Sequence, residues 1–138
     1  KGLSFSPEGR TENIRRTAEV ANLFAQAGFI VIVSLISPYV SERKRARDIR
    51  PEIFKEIFID ASLKECKKRD VKGLYAKVAK GEIKNFTGIS SPYEEPLNPE
   101  LTLNTEKETV EKSAEKLEQY IIKEFSIAKS SWQINSNN

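Results

Sequence analysis

Residues 84–94 bring together side-chain types that suit contact with a small molecule. The segment runs Lys-Asn-Phe-Thr-Gly-Ile-Ser-Ser-Pro-Tyr-Glu, so aromatic rings, hydroxyl groups and a glycine crowd into a stretch that fits neither a helix nor a strand pattern. We interpret it as the wall of a ligand site rather than as a linker. Histidine is absent from the whole chain. Its absence excludes Ser-His-Asp chemistry and zinc bound through imidazole, so any general base must be a carboxylate, a lysine or the substrate itself.

A ring, a cation and an amide lie close to one predicted helix N-terminus, in Phe5, Arg10 and Asn13. This grouping suits an anionic nucleotide, because the N–H groups and the dipole at a helix start attract negative charge. From spacing alone, a solvated first turn beside a core phenylalanine is the favoured interpretation.

Ser37 lies at a predicted strand exit, directly before a proline. It could act as a nucleophile, but the sequence offers no base to activate it. The residues alone therefore favour a serine that caps the strand. Cys66 lies on the predicted inner face of its helix and is interpreted as a buried, inert thiol.

Residues 42–50 form a strongly basic run that stops at Pro51 and predicts a short, exposed helix that could be mobile. Nucleic-acid binding is weakly supported, because no aromatic residue is interleaved and Glu42 and Asp48 interrupt the positive field. An ordinary solvated helix and a lid that neutralises transferring phosphates both stay open. Arg69 is similarly ambiguous, since its planar cation could lie on a purine or pair with the adjacent Asp70.

Composition limits the class of protein. With 138 residues, 31% of them charged and 38% hydrophobic, the chain fits one globular domain with a modest core. The longest apolar run, residues 29–36, is too short for a membrane helix, which needs about 20 residues, and no secretory signal is visible. A formal charge of +3 does not demand a nucleic-acid partner. The single cysteine excludes an intrachain disulfide and suits a reducing cytoplasm.

The elements that must position these groups alternate between helix and strand. A helix is predicted from a cap at Ser6 to a stop at Gly28, and strands are predicted at 29–36, 56–60 and 101–104, the first two buried on both faces. Capping-box spacings at 62–65 and 105–108 predict two further helices. The first helix is expected to carry an apolar stripe of Ile14, Ala18, Ala21 and Ala25 flanked by Val20 and Phe24, and the last one an apolar face of Val110, Ala114, Leu117, Ile121 and Phe125.

This alternation predicts an α/β domain with a mainly parallel sheet and flanking helices. Ligands of such sheets bind outside the carboxyl ends of the strands, where the exits at 36–39, 60–62 and 104–106 would lie. Residues 84–94 are long enough to fold over the same edge. The tail at 130–138 is expected to be flexible, with Trp132 as the one residue that could dock it.

Four motifs, at residues 5–16, 36–39, 69–75 and 84–94, closely resemble those of the adenylylsulfate kinase (APS kinase) family. The resemblance runs from Gly2 to about Ile122. Members of that family phosphorylate the 3′-hydroxyl of adenosine 5′-phosphosulfate (APS) with MgATP and give PAPS, the sulfate donor of sulfate assimilation. The resemblance implies the same activity here.

The family's glycine-rich phosphate-binding loop and its Asp-Gly-Asp-Asn segment do not occur in this sequence. The expected fold is therefore a P-loop NTP hydrolase (nucleotide kinase-like) fold that is incomplete at its N-terminus. Residues 1–129 would form the C-terminal portion of an APS kinase domain, with a lid at about 40–51 and a substrate loop at about 82–96. The Mg²⁺ of the MgATP co-substrate is expected to be held by the absent upstream segment, without which the chain should be inactive.

The resemblance also implies roles for individual residues. Phe5 and Phe86 would sandwich the APS adenine, Arg69 would pack on the ATP adenine, and Arg43 and Arg47 would clamp phosphate from the lid. In some members the serine matching Ser37 is phosphorylated, which makes Ser37 a candidate phosphosite and the one candidate catalytic residue. The implied APS-binding set is Phe5, Arg10, Thr11, Glu12, Asn13, Ile36, Ser37, Lys72, Asn85 and Phe86, and the implied ATP-binding set is Arg69 and Glu108.

At Asn85 the chain departs from the family's usual glycine, and a side chain there could restrict the loop backbone. The resemblance implies APS and ATP as partners, a homodimer, and functional coupling to ATP sulfurylase. It implies neither a nucleic-acid nor a membrane partner, and it implies a cytoplasmic location. The alternative function is a non-catalytic APS- or nucleotide-binding relative, or a regulatory portion of a larger sulfate-assimilation protein. A nucleic-acid-binding module is the third and least favoured hypothesis for the function.

Overall fold

A computed structural model describes residues 6–125 of the chain, where helices and two parallel strands alternate. The elements are α1 (Pro7–Gln26), α2 (Val40–Ile49), β1 (Ile57–Asp60), α3 (Leu63–Arg69), α4 (Leu74–Ala79), β2 (Leu101–Asn104) and α5 (Val110–Glu124). They fall into two compact units. Of the described residues, the first unit contains 6–55 and 67–98, and the second contains 56–66 and 99–125. The predicted tail and Trp132 lie outside the described residues.

Helix α1 begins and ends where its sequence predicts. The Ser6 hydroxyl accepts a hydrogen bond from the Gly9 N–H at 3.2 Å, and Pro7 occupies the first turn. Past the last turn, Gly28 has φ +91°, which favours glycine. Ile14 is buried, and α1 packs against α2. Val20 and Phe24, expected beside the apolar stripe, are instead exposed.

The apolar segment 29–36 does not form the predicted central strand. It has no strand pairing, and its seven large apolar side chains are between 37% and 71% exposed. A strand exists only when a neighbour supplies ladder hydrogen bonds. In the described part of the chain the sheet consists of β1 and β2, which pair with each other.

Those two strands form the sheet of the second unit. They run parallel, with Ile57 opposite Leu101 and Asp60 opposite Asn104, so both predicted strands are confirmed. Leu103 is 3% exposed and supplies the buried side of this sheet. Ile59 is 57% exposed, so the expectation that β1 is buried on both faces is wrong. Ile59 lies opposite Leu103 in the register, so burial on this face of the sheet is concentrated at β2.

Helix α5, which contacts β2, starts later than its sequence predicts. Thr109 is the N-cap, and its hydroxyl accepts from the Lys112 N–H at 3.3 Å. Thr105 instead donates to the Asp60 carbonyl at 3.2 Å, because this link follows directly after the paired strands. The apolar face predicted for α5 is partly wrong, because Val110, Ala114 and Phe125 are exposed whereas Ser113 is buried.

The capping signal before α3 is confirmed, since the Ser62 hydroxyl accepts from the Glu65 N–H at 3.2 Å. None of the helices described between residues 6 and 125 combines the length and the apolar character needed to cross a bilayer.

Candidate functional site

Three segments of the first unit meet through hydrogen bonds: the N-terminal turns of α1, residues 37–43, and residues 84–94, here called the 84–94 loop. Most of the side chains that sequence patterns single out lie on these segments. Phe5 lies outside the described residues. Glu108 belongs to the second unit, where it forms an ion pair with Lys116.

Arg10 joins α1 to the 84–94 loop. Its Nη1 donates to the Thr87 hydroxyl at 3.1 Å, and its Nη2 donates to the Asn85 carbonyl. The guanidinium is therefore held by residues more than 70 positions away in sequence. Thr87 is a site residue that the sequence-based assignment misses, although it stands inside the motif that carries Phe86.

The 84–94 loop folds on itself around the backbone of Phe86. The Phe86 carbonyl accepts from the N–H groups of Ile89, Ser90 and Ser91 at 3.1, 3.0 and 3.0 Å. The Ser90 hydroxyl accepts from the Phe86 N–H at 2.9 Å. These bonds make the loop an ordered turn rather than a linker.

Asn85 adopts a left-handed backbone conformation with φ +56°. Asparagine tolerates this region better than other residues with a side chain. The departure from glycine is therefore compatible with the turn, and the Asn85 carbonyl remains available to Arg10.

Tyr75 packs against Phe86 in an edge-to-face pair, with ring centroids 5.0 Å apart and planes at 72°. Asp70 in turn fixes the start of α4, since its carboxylate accepts from the N–H groups of Tyr75 and Ala76, both at 3.0 Å. Neither Tyr75 nor Asp70 was among the predicted site residues. Asp70 lies three residues before the N-cap Gly73, so the usual N-cap spacing does not signal its role.

Helix α2 begins at Val40 and is not uniformly exposed, contrary to the prediction from its charge. Glu42 is 4% exposed and accepts from the Thr11 hydroxyl, and Arg43 is 9% exposed. Arg43 donates from Nη1 to the Ser37 carbonyl and from Nη2 to the Glu94 carbonyl, each at 2.7 Å. Long-range contacts therefore bury the first turn of a segment whose composition predicts full solvation.

The last part of α2 is more open. Arg47 lies over the Phe54 ring, 4.8 Å from its centroid. Lys44 pairs with Asp48 at 2.7 Å on the solvent side, as an exposed (i, i+4) pair. Arg45 is exposed.

Ser37 has φ +40°, an uncommon conformation for a residue with a side chain, and such strain concentrates at functional positions. Beside it, Ile36 is 68% exposed. Asn13, Arg69 and Lys72 are also exposed, so their side chains are accessible to a ligand.

Glu12 carries the largest shift in pKa of the site. Hydrogen bonds from Arg15 and then Arg16 lower the pKa of its carboxyl from 4.5 to about 2. The bonded atoms are 2.8 and 2.7 Å apart. Glu12 is thus a stable anion whose bonding capacity is largely used by its own helix.

We expect Glu12 to titrate near pH 2 in a carbon-detected NMR titration of its carboxyl. Because the folded pKa is depressed, the stabilisation from the two arginines is present above about pH 4.5 and disappears as the pH falls through about 2. Replacing both Arg15 and Arg16 by Gln should return the midpoint towards 4.5. A midpoint near 4.5 in the unmodified protein would contradict these contacts.

The described residues form an α/β fold of parallel strands and helices, which is the fold of the P-loop kinase class. A family model described as Adenylylsulphate kinase matches residues 1–104. The chain belongs to that family.

Individual relatives are consistent with this family assignment. An adenylyl-sulfate kinase of Clostridium acetobutylicum is 51% identical over 119 residues, which is 86% of this chain and 60% of the relative. The bifunctional enzyme NodQ of a Rhizobium species is 50% identical over 122 residues, 88% of this chain and 19% of the relative. The solved structure of the Mycobacterium tuberculosis APS kinase CysC in complex with AMPPNP and APS gives a TM-score of 0.77 at 44% identity, covering 84% of this chain and 69% of that one. The chain thus spans about 60% of the length of the clostridial relative.

Proposed function

We propose that the complete protein is an adenylylsulfate kinase, which transfers the γ-phosphoryl group of ATP to the 3′-hydroxyl of APS and gives PAPS. The observation that carries this proposal is the junction of Arg10 with the 84–94 loop, inside the residues that match the family. A relative of known structure holds APS and an ATP analogue together. In-line transfer between two bound substrates requires positioning and charge neutralisation, and no covalent intermediate on Ser37.

The APS site is proposed to contain the side chains that surround the loop. Phe86 would stack on the adenine together with Phe5, and Asn13 would face the anionic part of APS from α1. Arg10 would line the same site while it holds the loop. The remaining members are Thr11, Glu12, Ile36, Ser37, Lys72 and Asn85. Glu12 would act through its effect on the helix start, because Arg15 and Arg16 already occupy its carboxylate.

For ATP, Arg69 is proposed to pack on the adenine. Glu108 is proposed as a second ATP-binding residue, through its backbone. Arg47 is the proposed phosphate clamp. Arg43, which the family resemblance places beside it, has both terminal nitrogens engaged by backbone carbonyls. Among residues 6–125 no group of three His, Cys, Asp or Glu side chains is placed so that it could hold a metal ion.

The test is an APS-dependent phosphorylation assay with the complete protein. We expect ADP and a 3′-phosphorylated product to form in equal amounts when APS and MgATP are both present, separated by ion-exchange chromatography. Omitting APS should abolish ADP formation. Binding of APS without turnover would instead select the alternative of a non-catalytic nucleotide-binding relative.

Four further properties are proposed. Residues 1–129 form part of one kinase domain, with a lid at about 40–51 and a substrate loop at about 82–96. A homodimer is proposed, and coupling to ATP sulfurylase is supported by the match to a relative named as bifunctional. The free thiol of Cys66 agrees with a cytoplasmic location.

A further inference from the structure

Glu94, at the end of the 84–94 loop, makes three hydrogen bonds to residues 38–43. Its N–H donates to the Pro38 carbonyl at 2.8 Å, its carboxylate Oε2 accepts from the Val40 N–H at 2.6 Å, and its carbonyl accepts from Arg43 at 2.7 Å. Arg43 also holds the Ser37 carbonyl. These contacts are here called the Glu94 clasp.

The carboxylate of Glu94 supplies what α2 lacks locally. The N-cap residue Tyr39 makes no side-chain capping bond, so the first N–H groups of α2 depend on other partners. Glu94 caps the Val40 N–H from 54 positions away, and its negative charge lies at the positive end of the helix dipole.

Phe86 therefore lies between two anchors of the same loop. Arg10 holds the residues on either side of Phe86, and the clasp holds the far end of the loop against the strained backbone of Ser37. Two of the proposed APS contacts, Phe86 and Ser37, therefore depend on where the loop is fixed.

We propose that Glu94 is a positioning residue for the APS site, which couples the 84–94 loop to the start of α2 and so sets the separation of Phe86 and Ser37. This inference rests on the proposed function. Glu94 is the residue to change, because it is exposed and its removal should leave the fold intact, whereas Arg43 is buried.

The experiment compares Glu94→Ala, Glu94→Gln and the neighbouring control Glu95→Ala in the complete enzyme. Loss of the cap should raise KM for APS about five-fold, with kcat and KM for ATP nearly unchanged. Gln keeps an oxygen acceptor for the Val40 N–H, so Glu94→Gln should return KM to within about two-fold of the original value. Glu95→Ala should behave as the unmodified enzyme.

Amide hydrogen exchange gives a second measurement that needs no substrate. Glu94→Ala should speed exchange of the Val40 amide about five-fold, and Glu95→Ala should not. An unchanged KM for APS, equal changes for APS and ATP, or no rescue by Gln would overturn the positioning role. Absence of turnover in the unmodified enzyme, with the exchange effect intact, would instead overturn the proposed kinase function.

Discussion

Replacing Arg47 by alanine in the complete enzyme should lower kcat/KM for APS about a hundred-fold, the effect of removing one strong donor that stabilises transferring charge. Arg47 is half-buried and lies over the Phe54 ring, 4.8 Å from its centroid. Loss of one cation–π contact costs about 0.5–1 kcal/mol, so the melting temperature should fall by only a few degrees. Steady-state kinetics and thermal unfolding of the same variant separate the two effects.

Two arginines of the same helix serve as controls. Arg45 is exposed, so Arg45→Ala should leave both turnover and stability nearly unchanged. Arg43 is buried and donates to two carbonyls, so Arg43→Ala should lose about 1.5–3 kcal/mol of stability for each charged hydrogen bond. Full turnover in Arg47→Ala would mean that Arg47 serves only as a structural contact with Phe54.

Replacing Phe86 by alanine should weaken APS binding ten-fold or more and leave ATP binding nearly unchanged, because a ring stacked on a base contributes about 1–3 kcal/mol. The structure supports a specific effect, since the turn at Phe86 is made by its backbone and not by its ring. Isothermal titration of each nucleotide into the complete protein measures the two affinities separately.

Ile89 provides a matched control in the same loop. It is 42% exposed, so Ile89→Ala removes apolar surface without removing a ring. Tyr75→Leu should give an intermediate loss of APS affinity, since it removes the edge-to-face contact and leaves Phe86 in place. Equal loss of both nucleotides in Phe86→Ala would indicate a collapsed loop.

Local signals were enough to predict several elements correctly. The Ser6 and Ser62 caps and the position of Gly28 involve residues within one helical turn of each other. The bounds of β2 follow from a short alternation that ends in a turn. The loop at 84–94 was predictable because its composition suits no regular element.

The remaining features depend on residues distant in sequence. Composition cannot show that Arg43 is buried, because its partners include the carbonyl of Glu94, 51 positions away. Thr105 has the spacing of a capping residue, yet its hydroxyl donates to the Asp60 carbonyl because the strands bring the two together. The prediction of a strand at 29–36 was wrong for a related reason. Apolar character indicates that a segment should be buried, but it does not identify the neighbouring strand that would pair with it.

That segment also bears on how we expect the chain to behave at high concentration. Residues 29–33 are Phe-Ile-Val-Ile-Val, uncharged and free of proline, and all of them are exposed. Exposed sequences of this kind stack between copies as cross-β aggregates. We therefore expect residues 29–36 to promote association between copies, and a charged residue at Ile32, which is 71% exposed, to reduce it.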